Sequence, residues 1–343
     1  MQRVVIWGTG GYAEHILTHF PHGSLELTAF VDNDPTRHGT FHDRPVVGPE
    51  ALAGLDFDSL AVASIFYAQI REQALGLGVP GEKLAPASAL AFYGQRGRLT
   101  PEAYACLCSV PWWYHAYEIL PGVATPGICR YKPELLDHPE VRDLTGLRAL
   151  DIGAWDGPYT LELARREAAV TAFDIQPAAH SGFDAMRRVN GLDVPHICAN
   201  VYHLNPAEHG IFDLVTFFGV YYHLKNPLAA LANINAVLPV GGLLLVEGAV
   251  LEGAPLADAA WAGRKALVAG MADIPLACYV KGTYEGDWSN WWVPNLACLR
   301  DWVESSGFEI IRSGTIEDSR RGVLAARKVR DLPREHVVLP PAR

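Results

Sequence analysis

Residues 150–157, Leu150-Asp151-Ile152-Gly153-Ala154-Trp155-Asp156-Gly157, end a short apolar run and open a helical pattern. Gly153 lets the backbone turn sharply and approach a ligand closely. Free N–H groups at the start of the new helix favour an anion. Asp151 could serve an amino group through the same loop, in which Ala154 and Trp155 stand between the glycines. Asp174 ends the next apolar run. A carboxylate about 20 residues beyond such a glycine turn can accept both hydroxyls of a ribose; a turn or helix-capping role is the competing reading. Asn200 follows the third run, where its amide carbonyl could accept from a purine amine or could cap the loop. With Ile175 and Val201 beside them, these residues read as one nucleoside-binding edge.

A second constellation carries acid–base chemistry. Residues 212–227 form a buried run that ends in an aromatic turn with His223, followed by a helix with Asn226 as N-cap and Pro227 at its first position. Ligands bind at strand C-termini in doubly wound sheets, so Phe218, Tyr222 and His223 should face a cofactor and an acceptor. A hydroxyl acceptor benefits from a base that titrates near neutrality; His223 is the first candidate and His115 the second. Each could equally make a structural hydrogen bond. Tyr284, Trp288, Trp291 and Trp292 follow an insertion over 251–283 and could form an aromatic lid. Tyr114, Trp288 and Trp292 are the candidate acceptor contacts, with Arg264 and Lys281 placed to meet a phosphate. No metal ligand set is expected.

The run 151–157, the run Gly219-Val220-Tyr221-Tyr222-His223-Leu224-Lys225-Asn226-Pro227-Leu228, and Trp292-Val293-Pro294-Asn295 through Gly307-Phe308 resemble the methyltransferase family that includes the tRNA wobble-uridine carboxymethyltransferases. The similarity spans roughly residues 110–328. It implies a class I fold and S-adenosylmethionine as cofactor, with Gly153, Gly157, Asp174, Phe218 and Tyr222 on cofactor-contacting positions and the loop N–H groups on the methionine carboxylate. Methyl transfer is an in-line displacement, so such an enzyme chiefly aligns the reacting atoms. One departure stands out: Trp155 replaces the middle glycine of the loop and should narrow the methionine end of the pocket. The tRNA enzymes hold a carboxylated cofactor with basic residues; none is evident over 112–130, so ordinary S-adenosylmethionine is expected.

A second glycine turn opens the chain. Gly8-Thr9-Gly10-Gly11-Tyr12-Ala13 follows an apolar run, and Asp32 lies about 20 residues further on, which is the dinucleotide fingerprint. The unit is too short for a complete dehydrogenase. With Phe30-Val31-Asp32-Asn33-Asp34 and Pro45-Val46-Val47-Gly48 it resembles the small Rossmann-like domain attached to sugar acyltransferases, which implies a possible nucleotide or nucleotide-sugar site at Gly8, Gly10, Gly11 and Asp32. A purely structural or dimerising domain is the alternative.

The elements that must position these residues are strands alternating with helices, hence parallel sheets. The expected fold is α/β. A small Rossmann-like domain spans 1–95, and an aromatic, Pro-rich connector over 96–146 packs on the second domain. A Rossmann-like, seven-stranded methyltransferase domain spans 147–330, with a tail over 331–343. Its strands are expected at 147–152, 169–173, 196–199, 212–217, 243–247, 308–311 and 323–327, and its helices at 157–167, 181–190, 226–238 and 295–306.

The chain has 343 residues, of which 50% are hydrophobic and 19% charged, enough apolar material for two cores. Its formal net charge of -10 disfavours a nucleic-acid partner, since gripping a phosphate backbone calls for a basic excess. No apolar run reaches the roughly 18 residues of a membrane span. Six cysteines without a C-x-x-C pair, and no secretory pattern, point to reduced, mostly buried thiols in a cytoplasmic protein. The expected activity is O-methylation of a sugar, nucleotide-sugar or secondary metabolite. The alternatives are tRNA modification and a non-catalytic nucleotide-binding protein. The expected partner is a small-molecule acceptor, with a homodimer possible.

Overall fold

The structure, a computed structural model, describes residues 1–252, 270–284 and 286–332. Cα proximity divides the chain into two compact units. The first holds Met1–Tyr131 with Trp155–Pro158 and Pro177–Asp193; the second holds Lys132–Ala154, Tyr159–Gln176 and Val194–Arg343. This division differs from the expected boundaries at 95 and 146. The connector groups with the first unit as far as Tyr131, and takes with it two segments from within 147–330.

The first unit is built on strands β1 (Gln2–Trp7), β2 (Leu25–Val31), β3 (Gly39–Phe41), β4 (Arg44–Val47), β5 (Ser59–Val62) and β6 (Leu84–Pro86). They form one sheet in the order β3-β4-β2-β1-β5-β6, parallel except for β3. Side chains alternate across a strand, so central β1 feeds two cores. Val4 and Ile6 pack with Ile16 and Phe20 on one face, while Val5 and Trp7 pack with Leu60, Ile70 and Ala74 on the other. Helices α1 (Gly11–Leu17), α2 (Tyr67–Gly76), α3 (Ser88–Tyr93) and α4 (Pro101–Cys108) follow in chain order.

The connector is mostly turns tied by short strands β7 (His115–Ala116), β8 (Glu118–Leu120), β9 (Val123–Ala124) and β10 (Cys129–Arg130). Trp113 is fully buried, and a Cβ on Gly182 would lie 2.3 Å from its ring. The connector's Trp113 thus packs within the first unit.

The second unit is a seven-stranded sheet of β11 (Arg148–Ile152), β12 (Ala169–Asp174), β13 (His196–Cys198), β14 (Leu214–Phe218), β15 (Leu243–Ala249), β18 (Phe308–Ile316) and β19 (Arg321–Lys328). A separate hairpin joins β16 (Ala277–Tyr279) to β17 (Trp292–Pro294). The sheet order is β13-β12-β11-β14-β15-β19-β18, with β19 antiparallel to both its neighbours. The strand order reverses at β11, so the crevice at its C-terminal end is a topological switch point. The seven-stranded α/β reading of the sequence is correct. β18 runs beyond the expected 311 because its antiparallel pairing with β19 continues to Ile316.

Helices α5 (Pro158–Arg165), α6 (Phe183–Asn190), α7 (Pro206–His209), α8 (Pro227–Ala236) and α9 (Leu296–Ser305) complete the order among the described residues. The Asn226 side chain accepts from Ala229 N at 3.1 Å and Asn295 accepts from Cys298 N at 2.9 Å, so both helices begin where an Asn cap places them. All six cysteines are free, but only Cys298 is buried and Cys198 is exposed, against the expectation of mostly buried thiols. Among the described residues no helix is long and apolar enough to cross a membrane.

Candidate functional site

Strand register brings the candidates to one edge of the second unit. Ile152 pairs with Phe173 on one side and Phe217 on the other, Asp174 pairs with Cys198, and Phe218 with Glu247. Gly153, Asp174, Cys198, Phe218 and Glu247 thus stand at the same C-terminal level, and Asn200 follows two residues beyond Cys198. Gly153 has φ +80°, and a Cβ there would lie 2.4 Å from Val220 Cγ2, so this turn accepts glycine alone. Its N–H donates to Phe173 O at 2.8 Å.

Asp151 is buried, and both its oxygens accept hydroxyl protons, from Thr160 at 2.6 Å and Thr216 at 2.7 Å. The geometry therefore gives it the task of tying β11 to β14 and to α5. Asp174 is 5% exposed and accepts from Gln176 N at 2.7 Å, which holds the following turn. Ile175 beside it is exposed. Asn200 Oδ1 accepts from Tyr202 N at 3.0 Å, the loop-capping role that competed with purine recognition in the sequence, while Val201 is buried.

Trp155 is one of few non-glycine residues with positive φ, at +47°. Such a conformation costs a bulky residue about 1–3 kcal/mol. It is held by ring contacts to Trp112 and Tyr114 at centroid distances of 6.0 and 5.7 Å, and by Ser181 Oγ donating to its carbonyl at 2.7 Å. Its neighbour Asp156 is fully buried, bonds His115 Nδ1, and accepts from Tyr114 N at 2.9 Å and His115 N at 2.8 Å. Gly157, with φ +86°, lies against Met186 and Phe183. All of these contacts are internal to the first unit.

Phe218 is buried against Tyr159 at 4.8 Å between centroids. Beyond β14, residues Tyr221–His223 form a 3-10 turn. Tyr222 is 9% exposed; its hydroxyl accepts from Arg321 at 3.2 Å, and Arg321 is also paired through two nitrogens with buried Glu247. Burial opposes the Arg321 charge, but Tyr222 and Glu247 more than offset it and keep the guanidinium protonated. Burial pushes the His223 imidazole below its ordinary value; Asp287 and Ser289 oppose this, and Arg321 adds to it. The shift favours the neutral imidazole over the imidazolium.

The aromatic group is centred elsewhere than the sequence suggested. Tyr279, which had no assigned role, contacts Trp291 and Trp292 at 6.2 and 5.4 Å, whereas Trp288 is 82% exposed. Trp292 donates to Lys225 O at 3.1 Å, and Lys225 Nζ lies 4.5 Å from the Trp291 ring. Lys281 is exposed. Arg264 lies outside the described residues.

In the first unit Asp32 is already engaged. Thr9 donates to its Oδ2 through N at 3.0 Å and Oγ1 at 2.5 Å, and Asp34 N donates to Oδ1 at 3.0 Å. The acid clips the glycine turn to β2. Gly8, at φ +118°, lies so close to Ala63 O that a Cβ would stand 2.6 Å away, and Gly10 caps α1 without a side-chain bond. Gly11 begins that helix.

Four residues escaped the sequence reading: Asp156, Glu247, Arg321 and Ser289. Arg321 stands next to Arg320 in the sequence, and nothing in that pair singles it out. Their partners are far along the chain, where spacing carries no signal.

Residues 127–313 match a family described as a methyltransferase domain, and residues 1–85 match one described as C2185-like, N-terminal. The chain is 26% identical over 175 residues to a tRNA U34 carboxymethyltransferase of Syntrophotalea carbinolica, covering 51% of this chain and 48% of that one. It is 29% identical over 176 residues to the protein so named in Pseudoalteromonas translucida, with the same coverage of 51% and 48%. The chain spans about half the length of these curated relatives. Similar solved structures include the 1,6-didemethyltoxoflavin-N1-methyltransferase of Burkholderia thailandensis (16% identity, 54% of this chain, 72% of that chain, TM-score 0.41). Another is an S-adenosylmethionine-dependent methyltransferase of Mesorhizobium loti (16% identity, 57% of this chain, 96% of that chain, TM-score 0.42).

Proposed function

The chain belongs to the methyltransferase domain family, and from that premise we propose that it transfers a methyl group from S-adenosylmethionine to a hydroxyl of a small sugar-like or nucleotide-linked acceptor. The observation that supports this reading is the strand register that sets Gly153 and Asp174 at the same C-terminal level, at the ends of adjacent strands β11 and β12. The residues fit the cofactor: a turn that only glycine can occupy, an acid at the ribose position and the exposed Ile175 next to it. When bound, S-adenosylmethionine supplies a methyl group activated by its sulfonium.

The chain's own groups do the rest. Asp174 accepts the ribose hydroxyls, and Gly153 lets the backbone come close. His223 accepts the proton of the acceptor hydroxyl, with His115, bonded to buried Asp156, as the second candidate. Trp292 with Tyr279 offers ring faces to the acceptor. The first unit's glycine turn, closed by its own Asp32, is read as a structural or subunit-pairing domain rather than a second cofactor site.

A tRNA-modifying role is the second reading, favoured by the similarity of half the chain to carboxymethyltransferases. Against it stand the net charge of -10 and the commitment of Arg321 to Glu247, with which an added cofactor carboxylate would have to compete. Methyl-labelled S-adenosylmethionine incubated with nucleotide-sugar pools and, separately, with unmodified tRNA tests the choice. Label in the sugar fraction alone supports the proposal. Label in tRNA, or tRNA binding at low salt, overturns it in favour of the second reading.

A further inference from the structure

Tyr284 and residues 286–291 form a small knot against the turn that carries His223. Tyr284 N donates to Asp287 O at 2.9 Å and Asp287 N to Tyr284 O at 3.0 Å, while Asn290 Nδ2 donates to Asp287 O at 3.1 Å. Trp291 N then donates to Tyr222 O at 2.7 Å, which ties the knot to the turn. At its centre Ser289 Oγ lies 2.6 Å from Asp287 Oδ1 and 2.9 Å from His223 Nδ1.

We infer that Asp287 and Ser289 are positioning residues that fix the tautomer of His223, so that Nε2 is the atom that accepts the acceptor's proton; this rests on the reading of His223 as the base. The assignment follows from counting protons. A carboxylate accepts and has nothing to donate, whereas a hydroxyl has one proton. The 2.6 Å contact to Asp287 takes that proton, and Ser289 N donates to the same oxygen at 2.7 Å, so the serine is oriented twice. What Ser289 turns to His223 is a lone pair. Nδ1 must then carry the hydrogen, and a neutral imidazole protonated at Nδ1 has its lone pair on Nε2.

The surroundings suit this task. Asp287 Oδ2 is 3.9 Å from Nδ1, the Tyr222 ring lies 4.3 Å away between centroids, and Arg321 bears on the imidazole from β19. Burial and Arg321 keep the ring neutral and ready to accept. Once the acceptor O–H proton has moved to Nε2, the positive charge is shared with Nδ1–H, where Ser289 and Asp287 stabilise it. The arrangement is a carboxylate–hydroxyl–imidazole relay, in which a serine stands between the acid and the base.

The test needs no acceptor. The full chain labelled with 15N-histidine gives imidazole nitrogen signals by NMR, and His223→Gln identifies the one to follow. At pH 7.5 the wild type is expected to show the Nδ1–H form as the dominant tautomer. Ser289→Ala should shift the population toward Nε2–H, and Ser289→Thr, which keeps a hydroxyl, should restore it. Asp287→Asn should lower the titration midpoint of His223, because it removes the charge that favours the imidazolium. A wild type dominated by the Nε2–H tautomer overturns the inference whether or not any variant folds, as does a Ser289→Ala protein with an unchanged pattern. Calorimetry with S-adenosylmethionine on the same samples separates the two failures. Lack of binding in the wild type sinks the methyltransferase reading, whereas intact binding with the wrong tautomer sinks only the relay.

Discussion

The two units carry nearly the same punctuation: a buried strand, a glycine turn, a helix, and an acid at the end of the next strand. They use the acid differently. Asp32 reaches back across the turn to Thr9 N and Oγ1, so the glycine loop is closed by its own carboxylate. Asp174 accepts from Gln176 N in the turn that follows it, and the exposed Ile175 stands next to it. The loops differ too. The first ends in a Gly-capped helix of seven residues, the second passes through Trp155 in a left-handed conformation backed by two further aromatic rings. A fingerprint read from spacing thus locates a turn and an acid, and the side chains around the turn decide how the acid is used. Thr9 supplies both an N–H and a hydroxyl to Asp32.

Four substitutions sharpen that contrast. The largest effect is expected for Asp174→Ala, which should weaken S-adenosylmethionine binding about 100-fold or more, since two hydrogen bonds to a charged group contribute about 1.5–3 kcal/mol each. Calorimetric titration reads this directly. Gly153→Ala should come next. Its Cβ meets Val220 at a φ of +80°, so thermal unfolding should show a loss of about 2–4 kcal/mol together with weakened cofactor binding. Asp32→Ala should cost about 1–3 kcal/mol of stability, seen as a lower Tm, through the two bonds lost from Thr9. It should leave S-adenosylmethionine affinity within twofold. The smallest effect is expected for Trp155→Gly, which relieves about 1–2 kcal/mol of backbone strain but loses ring contacts to Trp112 and Tyr114. Tm should move little, because the two effects oppose each other.

Much of the fold was legible because its signals are local. Continuous apolar runs such as 243–246 mark strands buried on both faces, and Asn226-Pro227 and Asn295 mark helix starts at the residues where the helices begin. The site was legible where it rests on strand ends. It was not legible where it depends on antiparallel register. Ala249 faces Arg321 across β15 and β19, which brings Arg321 to Glu247, 74 residues away in sequence, and to Tyr222, 99 residues away. The same holds for Asp156 with His115, 41 residues apart, and for Ser289 with His223, 66 residues apart. Asn200 shows the converse: its position was found, but its carbonyl caps its own 3-10 turn, a local bond that competes with any ligand.

The central claim is that the cofactor belongs to the second glycine turn and not to the first. Calorimetric titration of the full chain, Asp174→Ala and Asp32→Ala with S-adenosylmethionine, and then with NAD, tests it most directly. The account predicts one S-adenosylmethionine per chain for the wild type and for Asp32→Ala, none for Asp174→Ala, and no NAD binding to any of them. Binding that survives Asp174→Ala, or NAD binding that Asp32→Ala abolishes, would contradict it.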